Sequence, residues 1–370
     1  MKQRNPAMDI IRSFALFCVI SVHFFLNSGY YSEPIPGPGM YFFTLVNSFF
    51  HICVPLFMLL SGYLSNNKRP EVTYYLKIVP TLVIYFLASL CCMLYQNMKQ
   101  NAPFSLFILI FGTSSFSNAP YSWYVEMYIG LFLLIPFLNV MFSSLKSKRE
   151  KQLLILTLFI LCSLPSLTNI FRFGDPRWWM MPSISGSYKQ LLPSWWVQIY
   201  PLIYYFLGAY FYENPCKAKT TSYALGVLFM VLLTGSFQYY RSYGSQYITG
   251  SWNEYYSPFT VILSCLVFRF FQSMDYSKLP RIFRKLFATI SEFSFGAYLV
   301  SWIFDQAFYP ILIDCTPTYF QRFLWFPVIV IAVFISSLSL SAIITRIYSI
   351  LFSPIILRIS QHFRSKYDPC

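Results

Sequence analysis

The segment MDIIRSFALFCVISVHFF, Met8 to Phe25, sets three ionisable side chains in an otherwise apolar run: Asp9, Arg12 and His23. Their chemistries are complementary. A guanidinium is always charged and offers a fork to phosphate or carboxylate. An imidazole exchanges a proton near neutral pH. Eleven residues separate Arg12 from His23, which is three helical turns plus about 20°, so a helix projects both from one face. The rise between them is roughly 16 Å, about half a hydrocarbon core. Asp9 lies three residues before Arg12 and is within its reach. Taken alone, Asp9 and Arg12 also read as a snorkelling pair that fixes a helix end, and His23 as a structural hydrogen-bonding group. Ionisable groups inside a membrane are costly and line cavities or pathways. The shared face describes such a path, with an anion admitted at one mouth and a proton acceptor deeper in.

Other residues join this line. Lys68, Arg69 and Lys77 cluster between two apolar runs and suit anionic groups, or equally the ordinary basic flank of a membrane span. Glu126 falls one turn after Trp123. It reads either as an interfacial charge or as a carboxylate that orients His23 or binds a hydroxyl. Ser61, Tyr121 and Trp123 carry donors able to face a developing oxyanion. Trp178, Trp179, Trp195 and Trp196 crowd the connection RFGDPRWWMMPSISGSYKQLLPSWW, as an aromatic belt or as a platform for stacking sugar rings. His51 reads as structural, and His362 as solvated in the tail. Asp305, Glu292, Arg269 and Arg346 are expected to pair within a bundle. The nine cysteines include no C-x-x-C pair and read as small buried hydrophobes rather than metal ligands or disulfides.

The elements that position these groups must be membrane spans. Of 370 residues, 56% are hydrophobic and only 11% charged, too little charge to cover a soluble protein. Apolar runs of spanning length recur throughout. The expected fold is all-α, a polytopic helix bundle with ten spans near 8–28, 40–65, 74–96, 121–142, 152–171, 197–213, 220–240, 256–273, 289–313 and 324–350. FSLFILIF (Phe104–Phe111) is too short to cross and reads as an interfacial or re-entrant piece. The net charge of +14 does not point to nucleic acid, because Lys and Arg sit in clusters between apolar runs rather than in a basic stripe. They concentrate in alternate gaps, which predicts cytoplasmic termini. Residues 1–352 form the expected membrane domain. Residues 353–370, basic and amphipathic, are expected to lie on the inner leaflet. Neither a cleavable signal peptide nor an appended soluble domain is expected.

RNPAMDIIRSFALFCVISVHFF, VPLFMLLSGYL (Val54–Leu64), YSWYVEMYIGLFLLIPFLN (Tyr121–Asn139), YYFLGAYF (Tyr204–Phe211) and SFGAYLVSW (Ser294–Trp302) occur in order along nearly the whole chain. This series resembles the acyltransferase-3 family of integral-membrane O-acyltransferases. The resemblance implies a ten-span enzyme that takes an acyl group, usually acetyl, from cytoplasmic acyl-CoA and delivers it to a hydroxyl of an extracytoplasmic glycan. It implies that His23 is the catalytic residue and that Arg12 helps hold the CoA end. Asp9, Lys68, Arg69 and Lys77 would complete that end, with no metal involved. The implied partners are acetyl-CoA, a cell-surface polysaccharide or lipid-linked glycan, and the lipids of a bacterial plasma membrane. There are departures. Tyr74 and Lys77 stand where relatives carry an Arg–x–x–Arg motif. Tyr121 and Ser301 stand where many carry histidines. A transporter or flippase of a polar or lipid-linked solute is the alternative. The sequence lacks the paired Gly/Pro-broken spans in two related halves that point to one.

Overall fold

The computed structural model describes residues 4–170, 190–358 and 361. Its named elements are helices: α1 (Pro6–Asn27), α2 (Gly37–Phe50), α3 (Cys53–Ser65), α4 (Val72–Tyr75), α5 (Val79–Gln100), α6 (Leu106–Ser114), α7 (Trp123–Ser144), α8 (Lys148–Thr168), α9 (Pro201–Glu213), α10 (Thr220–Ser242), α11 (Pro258–Ser273), α12 (Arg281–Cys315), α13 (Tyr319–Leu324) and α14 (Phe326–Ile347). The polytopic helical bundle expected from the sequence is therefore the fold. Among the described residues eight helical stretches are long and apolar enough to cross a membrane. At the sixth and eighth expected spans stand α9, of 13 residues, and α11, of 16. At 1.5 Å per residue these reach about 20 Å and 24 Å, short of a core about 30 Å thick.

Local signals set the helix ends. Asn5 caps α1 by accepting from the Ala7 amide at 3.0 Å, and Pro6 occupies the first helical position, where its missing N–H costs nothing. Ser147 and Glu150 form a reciprocal capping box on α8. The expected second span differs: it breaks at His51–Ile52 into α2 and α3. Pro55 explains this, since it offers no amide to the His51 carbonyl four residues earlier and its ring crowds that carbonyl. The ninth expected span also differs, because its helix α12 begins at Arg281 and runs 35 residues. The short run after α5 is helical over nine residues, with Ser105 as its cap.

The chain divides into two compact units. The first comprises Met1–Asn66, Ser144–Ala288 and Thr316–Trp325. Within it α1 packs on α2, α3 and α11, while α3 and α9 cross at closest range. A Cβ on Gly62 would collide with the Tyr205 carbonyl, and one on Gly208 with the Leu59 carbonyl. Only glycine lets these backbones meet, and that is the physical content of Ser-Gly in one motif and Leu-Gly-Ala-Tyr in the other. The second unit comprises Asn67–Ser143, Thr289–Cys315 and Phe326–Cys370. There Gly296 of α12 lies against the Ser341 side chain of α14, and Ser341 donates to the Phe293 carbonyl at 2.7 Å. Asn118 braces α6 by donating to the Leu109 carbonyl at 3.0 Å.

Candidate active site

In the first unit α1 is unbroken from Pro6 to Asn27, so Arg12 and His23 project from one side of one rod, as their spacing predicts. Arg12 is half-buried. His23 is buried, with 9% of its surface exposed, and its carbonyl accepts from the Asn27 amide side chain at 2.8 Å. Asp9 is also buried, and Arg4 forks it, with Nε 2.6 Å from Oδ2 and Nη2 2.8 Å from Oδ1. Arg4 precedes the helix, so its side chain lies back along the first turn and presents the fork in plane. Arg4 Nη2 also donates to the Ala288 carbonyl at 3.0 Å, which ties the start of α1 to α12.

Ser61 lies on α3, the helix against α1, and donates its hydroxyl to the Phe57 carbonyl at 2.9 Å. Its proton is committed to its own helix, so it stands ready as an acceptor rather than as an oxyanion donor. His51 ends α2. Its Nδ1 lies 3.4 Å from the Asn47 carbonyl and its ring centre 6.2 Å from that of Tyr255. These are structural contacts, in keeping with the sequence reading.

Sequence reasoning missed a polar aromatic cluster in this unit. Asn47 donates to the Tyr31 hydroxyl at 3.2 Å, and Asn253 to the Tyr247 hydroxyl at 2.6 Å. The Tyr31 and Tyr247 rings meet edge to face at 4.8 Å. Burial pushes the Tyr31 phenol up to about 12. Arg241 is fully buried, with its guanidinium 5.2 Å from the Trp252 ring. Gln238 fixes that ring by accepting from its indole N–H at 2.6 Å. The available signal was an Arg at the end of a helix, eleven residues before a Trp, too common a pattern to single out.

The second unit holds the other candidates. Lys68 and Arg69 lie between α3 and α4, and the Lys68 carbonyl accepts from Asn139 at 2.8 Å. Lys77 is exposed on the turn before α5 and lines a cavity of about 180 Å³ with Thr73, Tyr348 and Ser353. Tyr74 is buried: its ring stacks on Phe132 at 4.4 Å and its hydroxyl donates to the Phe132 carbonyl at 2.8 Å. Tyr121 donates its hydroxyl to Asp305 Oδ2 at 2.8 Å, and Asp305 is fully buried. The Tyr298 hydroxyl bonds to the Tyr121 carbonyl. Asp305 thus pairs within the bundle, and Tyr121 belongs to a tyrosine–carboxylate pair. Trp123 is 40% exposed. Glu126 is exposed in the first turn of α7, at the end that favours negative charge.

The candidates therefore divide. Asp9, Arg12, His23 and Ser61 belong to the first unit, and Lys68, Arg69, Lys77, Tyr121, Trp123 and Glu126 to the second. Trp178 and Trp179 lie outside the described residues, as does His362. A family model described as an acyltransferase domain matches residues 5–346. No curated protein and no solved structure matches the chain.

Proposed function

The chain belongs to the acyltransferase-3 family of integral-membrane acyltransferases, and we propose that it moves an acyl group, acetyl in the first instance, from acyl-CoA to a hydroxyl of a cell-surface glycan. The observation that carries this reading is α1, a single rod with a half-buried guanidinium near its start and a buried imidazole three turns on. CoA's phosphates are held at the basic end by Arg12. Only the thioester arm enters the bundle, so the charged cofactor need not cross the bilayer.

An alcohol is a poor nucleophile at neutral pH. The His23 imidazole accepts the proton of the acceptor hydroxyl as its oxygen attacks the thioester carbonyl. The tetrahedral adduct collapses, the C–S bond breaks, and the thiolate of CoA takes the proton back from the imidazolium. The alternating clusters of Lys and Arg support a cytoplasmic start of α1, and the acceptor then lies on the opposite face of the membrane.

The test uses purified protein in liposomes with labelled acetyl-CoA and a surface-glycan acceptor. Label is expected on the glycan with release of CoA, and none with His23→Ala. Normal acetylation by that variant would overturn the role of His23. One observation favours the transporter alternative, the break at His51–Ile52, since discontinuous spans hold substrate in transporters. Solute flux without CoA turnover in the same liposomes would select it.

A further inference from the structure

Beside the start of α1 the first unit opens a cavity of about 520 Å³, lined by Arg4, Asn5, Asp9, Tyr276, Ser277 and Arg284 among others. That volume lies within the range of small-molecule sites. The carboxylate in its lining, Asp9, and the neighbouring Asp275 are already engaged. Asp9 is forked by Arg4, and Asp275, next to the cavity, closes its own turn by accepting from the Ser277 amide at 2.8 Å and hydroxyl at 2.9 Å. Arg284 is different. Its Nη2 donates to the Tyr276 and Ser277 carbonyls at 2.8 Å and 2.7 Å, and among the described residues no carboxylate pairs with it. Two neutral carbonyls position this guanidinium without cancelling its charge. Exposed Lys278, Arg281 and Lys285 flank it in sequence and add positive charge to this end of α12. The cavity is built for an anion, and a guanidinium held this way suits a phosphomonoester, which carries nearly two charges at neutral pH.

We propose that this cavity binds the 3′-phosphate at the nucleotide end of the acyl-CoA donor, with Arg284 as its principal cation and Arg4, held by Asp9, as its second wall. The proposal rests on the donor reading above. It fits the order of groups along CoA, since the nucleotide is the end farthest from the thioester and the cavity lies at the end of α1 farthest from His23. Asp9 is then a positioning residue for Arg4 rather than a ligand of the cofactor.

The test measures binding of CoA and of 3′-dephospho-CoA to the full-length protein in nanodiscs. Wild type is expected to prefer CoA by roughly tenfold, the worth of a charge-assisted hydrogen bond. Arg284→Gln should lose that preference by weakening CoA alone, and Arg284→Lys should retain part of it. Equal affinity of wild type for the two ligands, or a preference that survives Arg284→Gln, overturns the proposal while leaving the donor reading intact. Binding of neither ligand to wild type overturns the donor reading and the proposal with it. Phosphatidylglycerol in the nanodisc that competes with CoA in wild type but not in Arg284→Gln would assign the cavity to a lipid headgroup instead.

Discussion

The two units contain the same three residues, Gly-Ala-Tyr, and use them differently. In α9 Gly208 rests on the backbone of α3, and the Tyr210 hydroxyl accepts from Gln152 of α8 at 2.9 Å. In α12 Gly296 rests on a side chain, Ser341, and the Tyr298 hydroxyl goes to the Tyr121 carbonyl, next to the Tyr121–Asp305 pair. The first triplet is scaffold, made where two backbones touch. The second triplet holds a polar pair inside the bundle. What a motif does is set by the atoms it meets, and its letters alone do not reveal which case applies.

If the α3–α9 crossing is scaffold and one face of α1 carries the chemistry, the two must separate under mutation. The largest effect expected is on activity: His23→Ala retains the wild-type elution profile and melting temperature while acyl transfer falls about 100-fold or more, the scale of a lost general base. Next comes Gly208→Ala, which drives a Cβ into the Leu59 carbonyl. A loss of about 1–3 kcal/mol or more is expected, seen as a lower melting temperature in detergent, and trimming neighbouring side chains should not restore it. Gly296→Ala meets a hydroxyl, so the double variant with Ser341→Ala should melt above the single variant. Tyr121→Phe removes a buried hydrogen bond to a carboxylate and should cost about 1.5–3 kcal/mol, with a smaller loss of transfer than His23→Ala. Glu126→Gln comes last. Its exposure predicts a stability change within about 0.5 kcal/mol and unchanged transfer, and a loss matching His23→Ala would make Glu126 the group that orients the imidazole.

Periodicity and length made the helical bundle legible in the sequence, because a run of apolar residues long enough to span hydrocarbon has few other structures available. The relation of Arg12 to His23 was legible for the same reason: it depends only on residues per turn. Contacts between elements were not. Nothing in the spacing of Asp9 says that a residue ahead of the helix will fork it. That is decided by geometry at the helix end, where Arg4 brings both nitrogens to the carboxylate. Nor does the pattern around Arg284 announce an unpaired guanidinium, since Lys278, Arg281, Arg284 and Lys285 look alike until one of them turns inward. The break at His51 was within reach, because Pro55 was visible and a proline disturbs the carbonyl four residues before it.

The length of α12 has a consequence of its own. Thirty-five residues make a rod of about 52 Å, against a hydrocarbon core of about 30 Å. Roughly a third of the helix stands clear of the lipid tails even when tilted. Its first turns carry Arg281, Arg284 and Lys285, so these charges sit among water, headgroups and mobile ions. At cellular ionic strength their field fades over about 8 Å. Their pull on an anion is therefore short in range and dependent on salt, whereas the buried His23 imidazole is shielded from mobile counterions.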